Sequence, residues 1–386
     1  MKAMKKVFMS SVLAAVMSQT ALPVLAADAH YPAFPVPAKM TAGAKAGNVI
    51  YAGLGTAGKA WYKLDLSEKE LKWTALAEFP DQPRDAATSV TVGDAVYVFA
   101  GQGKADPADK HLQMFDTVYR YLIKEDRWEK LPTRTPVGLL ASSAVVSKDE
   151  VIFFGGVNQQ IFNGYFLDYF VHSGGQKEKQ DAVAQHYFDR KPADYLFNRY
   201  VLAYNTSTNQ WRFLGIDPNP GTVGAALAVS GNTITITGGE IKPGLRSRES
   251  KTVILKDGKL EWKAQQTLPS VSANEAQEGP AGAFAGYAQG TLLVAGGANF
   301  PGAWKQFSAG ENFAHKGLKK TWRDEIYSYS KGQWKLAGKL PVAMGYGSAF
   351  QLDDGVLIVG GELQGGAASA DVFLLRMKGQ QVEIVR

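Results

Sequence analysis

Cysteine is absent from all 386 positions. The chain therefore has no disulfide, no thiolate metal site and no cysteine nucleophile. Histidine is scarce. The five residues His30, His111, His172, His186 and His315 follow no metal-ligand spacing. No phosphate loop, no Gly-x-Ser-x-Gly elbow and no dinucleotide fingerprint occurs. No apolar run is long enough to span a bilayer. The nearest, Val7 to Met17, follows Lys2, Lys5 and Lys6 and precedes Val24-Leu25-Ala26. That order reads as a secretory signal peptide over residues 1–26. This segment holds three Lys and no acid, so of the net charge of +6 only +3 lies beyond it. Nothing in so small a charge points to nucleic acid or to an anionic membrane.

Glycine is plentiful, at 41 residues, and it is ordered. A glycine doublet ends an apolar run six times, at Gly53/Gly55, Gly101/Gly103, Gly155-Gly156, Gly238-Gly239, Gly296-Gly297 and Gly360-Gly361. Five copies are followed by a Trp, at Trp73, Trp128, Trp211, Trp262 and Trp334, and in the sixth Val382 stands there. A period of roughly 50 residues with four strands per unit marks an all-β, six-bladed kelch-type β-propeller. The expected plan is a signal peptide (1–26), a proline-rich extended segment (27–39) and the propeller (40–386). In the second unit, strands a to d are expected near 87–92, 95–100, 117–122 and 128–130. The steps Phe79-Pro80, Leu131-Pro132, Leu268-Pro269 and Leu340-Pro341 are expected to stop strand d. The late Trp residues and the strand-c tyrosines read as packing between blades.

The distance from doublet to Trp is 18, 25 and 23 residues in units 1, 2 and 4, but 55 in unit 3 and 37 in unit 5. Both insertions, about 157–198 and 298–320, fall between strands b and c and so lie on one face. Long loops on one face of a propeller carry function. The first is expected to be partly helical, over 176–188 and 192–198. Its many aromatics read as packing, against the rim or in a dimer contact.

Residues just past the doublets converge on the channel mouth: Asn158, Glu240, Asn299 and Glu362. Glu240 opens a loop in which the Pro243-Gly244 turn folds Arg246 back toward it. A guanidinium binds a substrate carboxylate bidentately and keeps a neighbouring carboxylate ionised, ready to accept a proton. A surface ion pair explains the same two residues equally well. Arg84-Asp85, Glu275 and Glu278 are weaker candidates on the same face.

The signal segment, the six repeats, the unit-3 insertion and Thr237-Gly-Gly-Glu240-Ile-Lys-Pro-Gly244-Leu-Arg246 together resemble the bacterial periplasmic N-acetylneuraminate epimerases, or sialic acid mutarotases. The resemblance implies a periplasmic homodimer that interconverts the α and β anomers of an acidic sugar without a cofactor or metal. It implies Glu240 as proton acceptor and Arg246 as substrate-binding partner. Arg84, Asn158, Asn299 and Glu362 join them as candidate substrate contacts. Two other readings compete. A sialidase is also a six-bladed propeller, but it carries Ser-x-Asp-x-Gly-x-x-Trp boxes that this chain lacks. A non-catalytic kelch protein binds peptide or sugar on the same face.

Overall fold

The structure is a computed structural model, and it describes residues 30–386. The expected signal peptide lies outside the described residues, as do positions 27–29 of the extended segment. Six antiparallel sheets, four of them four-stranded and two five-stranded, follow one another along the described chain. Blade 1 comprises Ala42–Ala46, Val49–Gly53, Trp61–Asp65 and Trp73–Ala75, and blade 2 comprises Thr88–Val92, Ala95–Phe99, Thr117–Leu122 and Arg127–Arg134. Blade 4 holds Ala226–Ser230, Thr233–Thr237, Glu249–Lys256 and Lys259–Trp262. The last blade ends in Gln381–Val385. The first strands of neighbouring blades touch all the way round, including blade 6 against blade 1, so the sheets form a closed six-bladed β-propeller.

Burial of the inner strands drives this arrangement. Strand b is apolar on both sides because it is covered by the blades before and after it, as in Ala95–Phe99, where every residue is buried. Trp73, Trp128 and Trp211 staple their blades to the chain that precedes each, whereas the indole N–H groups of Trp262 and Trp334 have no partner among the described residues. Trp128 Nε1 donates to Ala77 O at 2.9 Å, and Trp211 Nε1 donates to Thr133 Oγ1 at 3.0 Å. The doublets sit where backbones crowd. A Cβ on Gly238, which has φ +69°, would lie 2.2 Å from Pro280 O.

Ring closure uses the N-terminal segment. Phe34-Pro35 takes the place held by Phe79-Pro80 between blades 1 and 2. Phe34 packs edge-on against Trp73 at 4.9 Å, as Phe79 packs against Trp128 at 5.1 Å. Trp73 Nε1 donates to Pro32 O at 3.1 Å. Ala38 N donates to Ser369 O, and Gly361 N donates to Ala38 O, at 2.9 and 2.8 Å. Tyr31, Phe34 and Ala38 are buried in one cluster with Ile50 and Leu64 of blade 1 and Leu357 and Val372 of blade 6. No described strand crosses from one terminal blade into the other. The seam is held by this wedge of about ten residues, which supplies the connection that blade 6 would otherwise need.

Two expectations change. Strand d of blade 2 does not stop at Pro132 but runs on to Arg134. The register breaks between Lys130 and Arg134, which lets the proline sit in an edge strand without a missing ladder bond. The blade-3 insertion is partly helical, as expected, but holds more helix than the periodicity showed. Helix α1 (Gln159–Leu167) precedes α2 (Lys177–Phe188), and 192–198 contributes only a short turn, Pro192–Tyr195. Helix α1 carries Phe162, Tyr165 and Phe166 on one face, but at nine residues it is too short for the periodicity to stand out in the sequence. A third helix, α3 (Ala303–Ser308), stands in the blade-5 insertion.

Candidate active site

Six residues, one from each connection entering a blade, encircle the channel: Met40, Ala86, Ala141, Gly224, Gly282 and Tyr346. Each has a left-handed backbone, with φ between 50° and 67°. Each donates its backbone N–H to the carbonyl of the one before, at 2.6–3.0 Å, and Met40 donates to Tyr346, so the six bonds form a closed circle. This conformation turns the chain out of the channel and satisfies every N–H in the ring. A cavity of about 580 Å³ lies over the circle, which all six residues line. Phe162, Tyr165, Phe166, Tyr187 and Phe188 of the blade-3 insertion wall one side, and Phe300 and His315 of the blade-5 insertion wall another.

The polar groups of that cavity are few. Glu240 is anchored by two backbone bonds to Val223, at 2.8 and 3.0 Å. Its hairpin turns at Pro243-Gly244, with Gly244 at φ +83°, and pairs Glu240 with Arg246. Arg246 Nη2 meets Glu240 Oε1 at 2.7 Å. The two side chains differ in access: Glu240 is 26% exposed and Arg246 only 3%. The guanidinium lies 4.8 Å from the Phe300 ring centre, and its Nε donates to Ala298 O at 3.2 Å. The carboxylate thus opens to the cavity while its cation sits behind it.

His315 packs among Phe188, Phe300 and Phe313, with ring centres 4.9–5.0 Å away. Burial, helped by Arg246 and Lys242, pulls its pKa down to about 4, so the imidazole is neutral at pH 7. Lys242 is fully buried and donates to the carbonyl oxygens of Phe188, Arg190 and Asn312. It therefore ties the Glu240 loop to both insertions at once. Burial pulls its pKa down to about 8, against the opposing pull of Asp189 and Asp194. Burial, then the Glu240 carboxylate, push the Tyr187 phenol up.

Of the residues singled out in the sequence, Glu240 and Arg246 come together on this cavity. The other four do not line it. Arg84 is 1% exposed and held by Asp81, Ala100 O and Thr117, with Phe79 and Phe115 rings within 4.7 Å. Its guanidinium ties the connection entering blade 2 to that blade, which corrects its reading as a substrate contact. Asn158 caps α1, its side-chain oxygen accepting from Ile161 N at 3.0 Å, so that oxygen serves the helix. Asn299 is buried in a two-residue ribbon beneath the cavity wall. Glu362 is buried behind Lys39 and Lys320. Glu278 caps α3 through Gly302 N and Trp304 N, and Glu275 pairs with Arg323. Lys320 and the neutral His315 lie on the cavity and were not singled out. Both sit inside the long insertion, where no repeat marks a position, and only the length of that insertion pointed to them.

The model of the N-acetylneuraminate epimerases matches residues 31–384. The chain belongs to the N-acetylneuraminate epimerase family. The N-acetylneuraminate epimerase of Yersinia pestis (strain Pestoides F) is 42% identical over 92% of this chain and 91% of its own. That of Haemophilus influenzae (strain 86-028NP) is 41% identical over 92% and 93%. A solved structure titled "Structure of YjhT" superposes with a TM-score of 0.87 at 39% identity, covering 92% of this chain and 99% of that one. The family assignment therefore spans the whole propeller, both insertions and the Glu240 hairpin.

Proposed function

We propose that the chain is an isomerase that interconverts the α and β anomers of N-acetylneuraminate, with Glu240 as the proton acceptor. The observation that carries this reading is the cavity-facing carboxylate, fixed at both ends of its hairpin and backed by a buried guanidinium. The family assignment supplies the sugar. Glu240 takes the proton of the anomeric hydroxyl. The bond between the anomeric carbon and the ring oxygen breaks as the ring oxygen gains a proton. The open-chain ketone turns over within the cavity. Attack of the hydroxyl formed from the ring oxygen on the other face of the ketone, with that hydroxyl losing its proton and the ketone oxygen regaining one, gives the second anomer. No atom is gained or lost, and water alone performs the reaction slowly, so general acid–base help of ~10²–10⁴-fold is sufficient.

The test is NMR of freshly released α-anomer, with and without protein. Wild type is expected to shorten the approach to equilibrium, and Glu240→Gln to lose ~10²–10⁴-fold of that acceleration while keeping its melting temperature. A Glu240→Gln protein that equilibrates the sugar as fast as wild type removes Glu240 from the mechanism.

The basic start, short apolar run and small-residue step of residues 1–26 support export to the periplasm with cleavage after that segment. Among the described residues, no helix is long and apolar enough to cross a membrane. The family resemblance supports a homodimer as the working form.

A further inference from the structure

His315 lines the cavity with its ring held among Phe188, Phe300 and Phe313. The fourth-blade hairpin closes one edge of that ring. A Cβ on Gly244 would meet Nδ1, Cγ and Cε1 at 1.7, 2.3 and 2.5 Å, so Nε2 lies on the opposite edge. Nδ1 is sealed and has no hydrogen-bond partner, whereas Nε2 is not sealed. A sealed N–H without an acceptor is rarer than a bare lone pair, so the proton belongs on Nε2. The ring is neutral at pH 7 and therefore offers one donor and no charge. The side-chain bonds to histidine rings are those of His172 and His186, so among the described residues no acceptor takes the His315 donor. Phe300 ties this imidazole to the Glu240–Arg246 pair. Its ring centre is 4.8 Å from the guanidinium carbon and 4.9 Å from the His315 ring, so one phenyl ring touches both groups.

We propose that His315 recognises the sugar's acetamido group, donating from Nε2 to its carbonyl oxygen while Phe188 and Phe300 receive its methyl group. The proposal rests on the mutarotase reading of the site and names the residue that sets which acidic sugar it prefers. In N-acetylneuraminate the carboxylate and the reacting hydroxyl share one carbon. The acetamido group stands on the carbon opposite, across the six-membered ring. Glu240 and Arg246, whose Nη1 has no partner, take the first end. Phe300 touches Arg246 and His315 alike, so the far end of a sugar seated over Phe300 comes to the imidazole. The chemistry of this corner then selects among the groups that could sit there. A carboxylate gains no charge attraction from a neutral ring. A hydroxyl brings a donor of its own, which would go unpaired among phenyl rings. A carbonyl only accepts, and the methyl beside it is as apolar as the wall. His315 thus acts in specificity and not in proton transfer.

Calorimetric titration with N-acetylneuraminate, and with the analogue that carries a hydroxyl in place of the acetamido group, tests this alongside NMR exchange rates. Wild type is expected to bind the N-acetylated sugar roughly 10-fold more tightly, the scale of one hydrogen bond with its methyl contact. His315→Leu should lose most of that preference by weakening the N-acetylated sugar alone, which raises KM and changes kcat little. His315→Gln keeps an N–H donor and should retain a preference for the N-acetylated sugar. Melting temperatures show that each variant is folded. The proposal is overturned if wild type binds the two sugars alike, if His315→Leu keeps the full preference or weakens both sugars equally, or if His315→Gln shows no preference. Fast anomer exchange without any preference overturns it and leaves the mutarotase reading standing. A preference that follows His315 in a protein that does not speed exchange would sink the mutarotase reading and leave the acetamido site in place.

Discussion

Glu240 and Glu362 occupy the same position in blades 4 and 6, each directly after a glycine doublet. Their neighbours decide their chemistry. Glu362 meets two lysines and is buried, while Glu240 meets one guanidinium from behind and opens to the cavity. His315 carries a measurable signature of its setting. Its folded pKa of about 4 lies below the ordinary 6.5, so between those values the unfolded chain binds more protons than the folded one. Its contribution is thus intact above about pH 6.5 and is lost as pH falls toward 4. Melting temperatures of wild type and His315→Gln, followed over that window, should converge as the solution is acidified. Parallel curves would show that the imidazole is not held in a dry pocket.

Among elements, the Glu240–Arg246 hairpin depends on one residue without a side chain. A Cβ on Gly244 would fall 1.7 Å from His315 Nδ1, and the backbone there is left-handed. Gly244→Ala is expected to cost about 1–3 kcal/mol in urea unfolding. It should also lower kcat/KM by roughly 10²-fold, because the proposed reacting carboxylate, Glu240, stands on that hairpin. Normal activity in this variant would mean that the hairpin tolerates displacement. Lys242 does the complementary work from below, since its three acceptors belong to both insertions. Lys242→Met leaves the Phe188 and Arg190 carbonyls without that donor, at about 1–3 kcal/mol each if they stay dry, while Asn312 O keeps Ala314 N. Hydrogen exchange should rise in α2 and around Asn312 while the blades keep their protection. Faster exchange spread evenly over the sheets would contradict a local clamp.

The whole molecule is a ring, and a ring is as strong as its seam. Here the seam is sealed by Tyr31, Phe34 and Ala38 rather than by a shared strand. Phe34→Ala should cost about 3–5 kcal/mol. The signature is position-specific: amide exchange should accelerate first in strand a of blade 1 and in blade 6. Loss of stability without that pattern would place the weak point elsewhere. The cavity depends on the same closure, because Met40 and Tyr346 form the last link of the hydrogen-bonded circle.

Repetition made the propeller legible. Doublets and Trp residues recur because each blade solves the same packing problem, so six weak signals add to one strong one. Insertion lengths located the face that carries the cavity, and the Pro243-Gly244 turn brought Arg246 back to Glu240 on local grounds alone. What repetition could not mark was left to tertiary structure. Arg84 shared a face with the site yet ended in a blade seam, since burial among Phe79, Phe115 and Tyr119 depends on the neighbouring sheet. Lys320, His315 and the wedge at Phe34 acquire their roles from partners tens to hundreds of residues away. Local pattern specifies strands, turns and one hairpin, because those forces act over a few residues. Which charges are sheltered, which face the cavity and how the circle shuts are set by contacts that exist only once the chain has closed on itself.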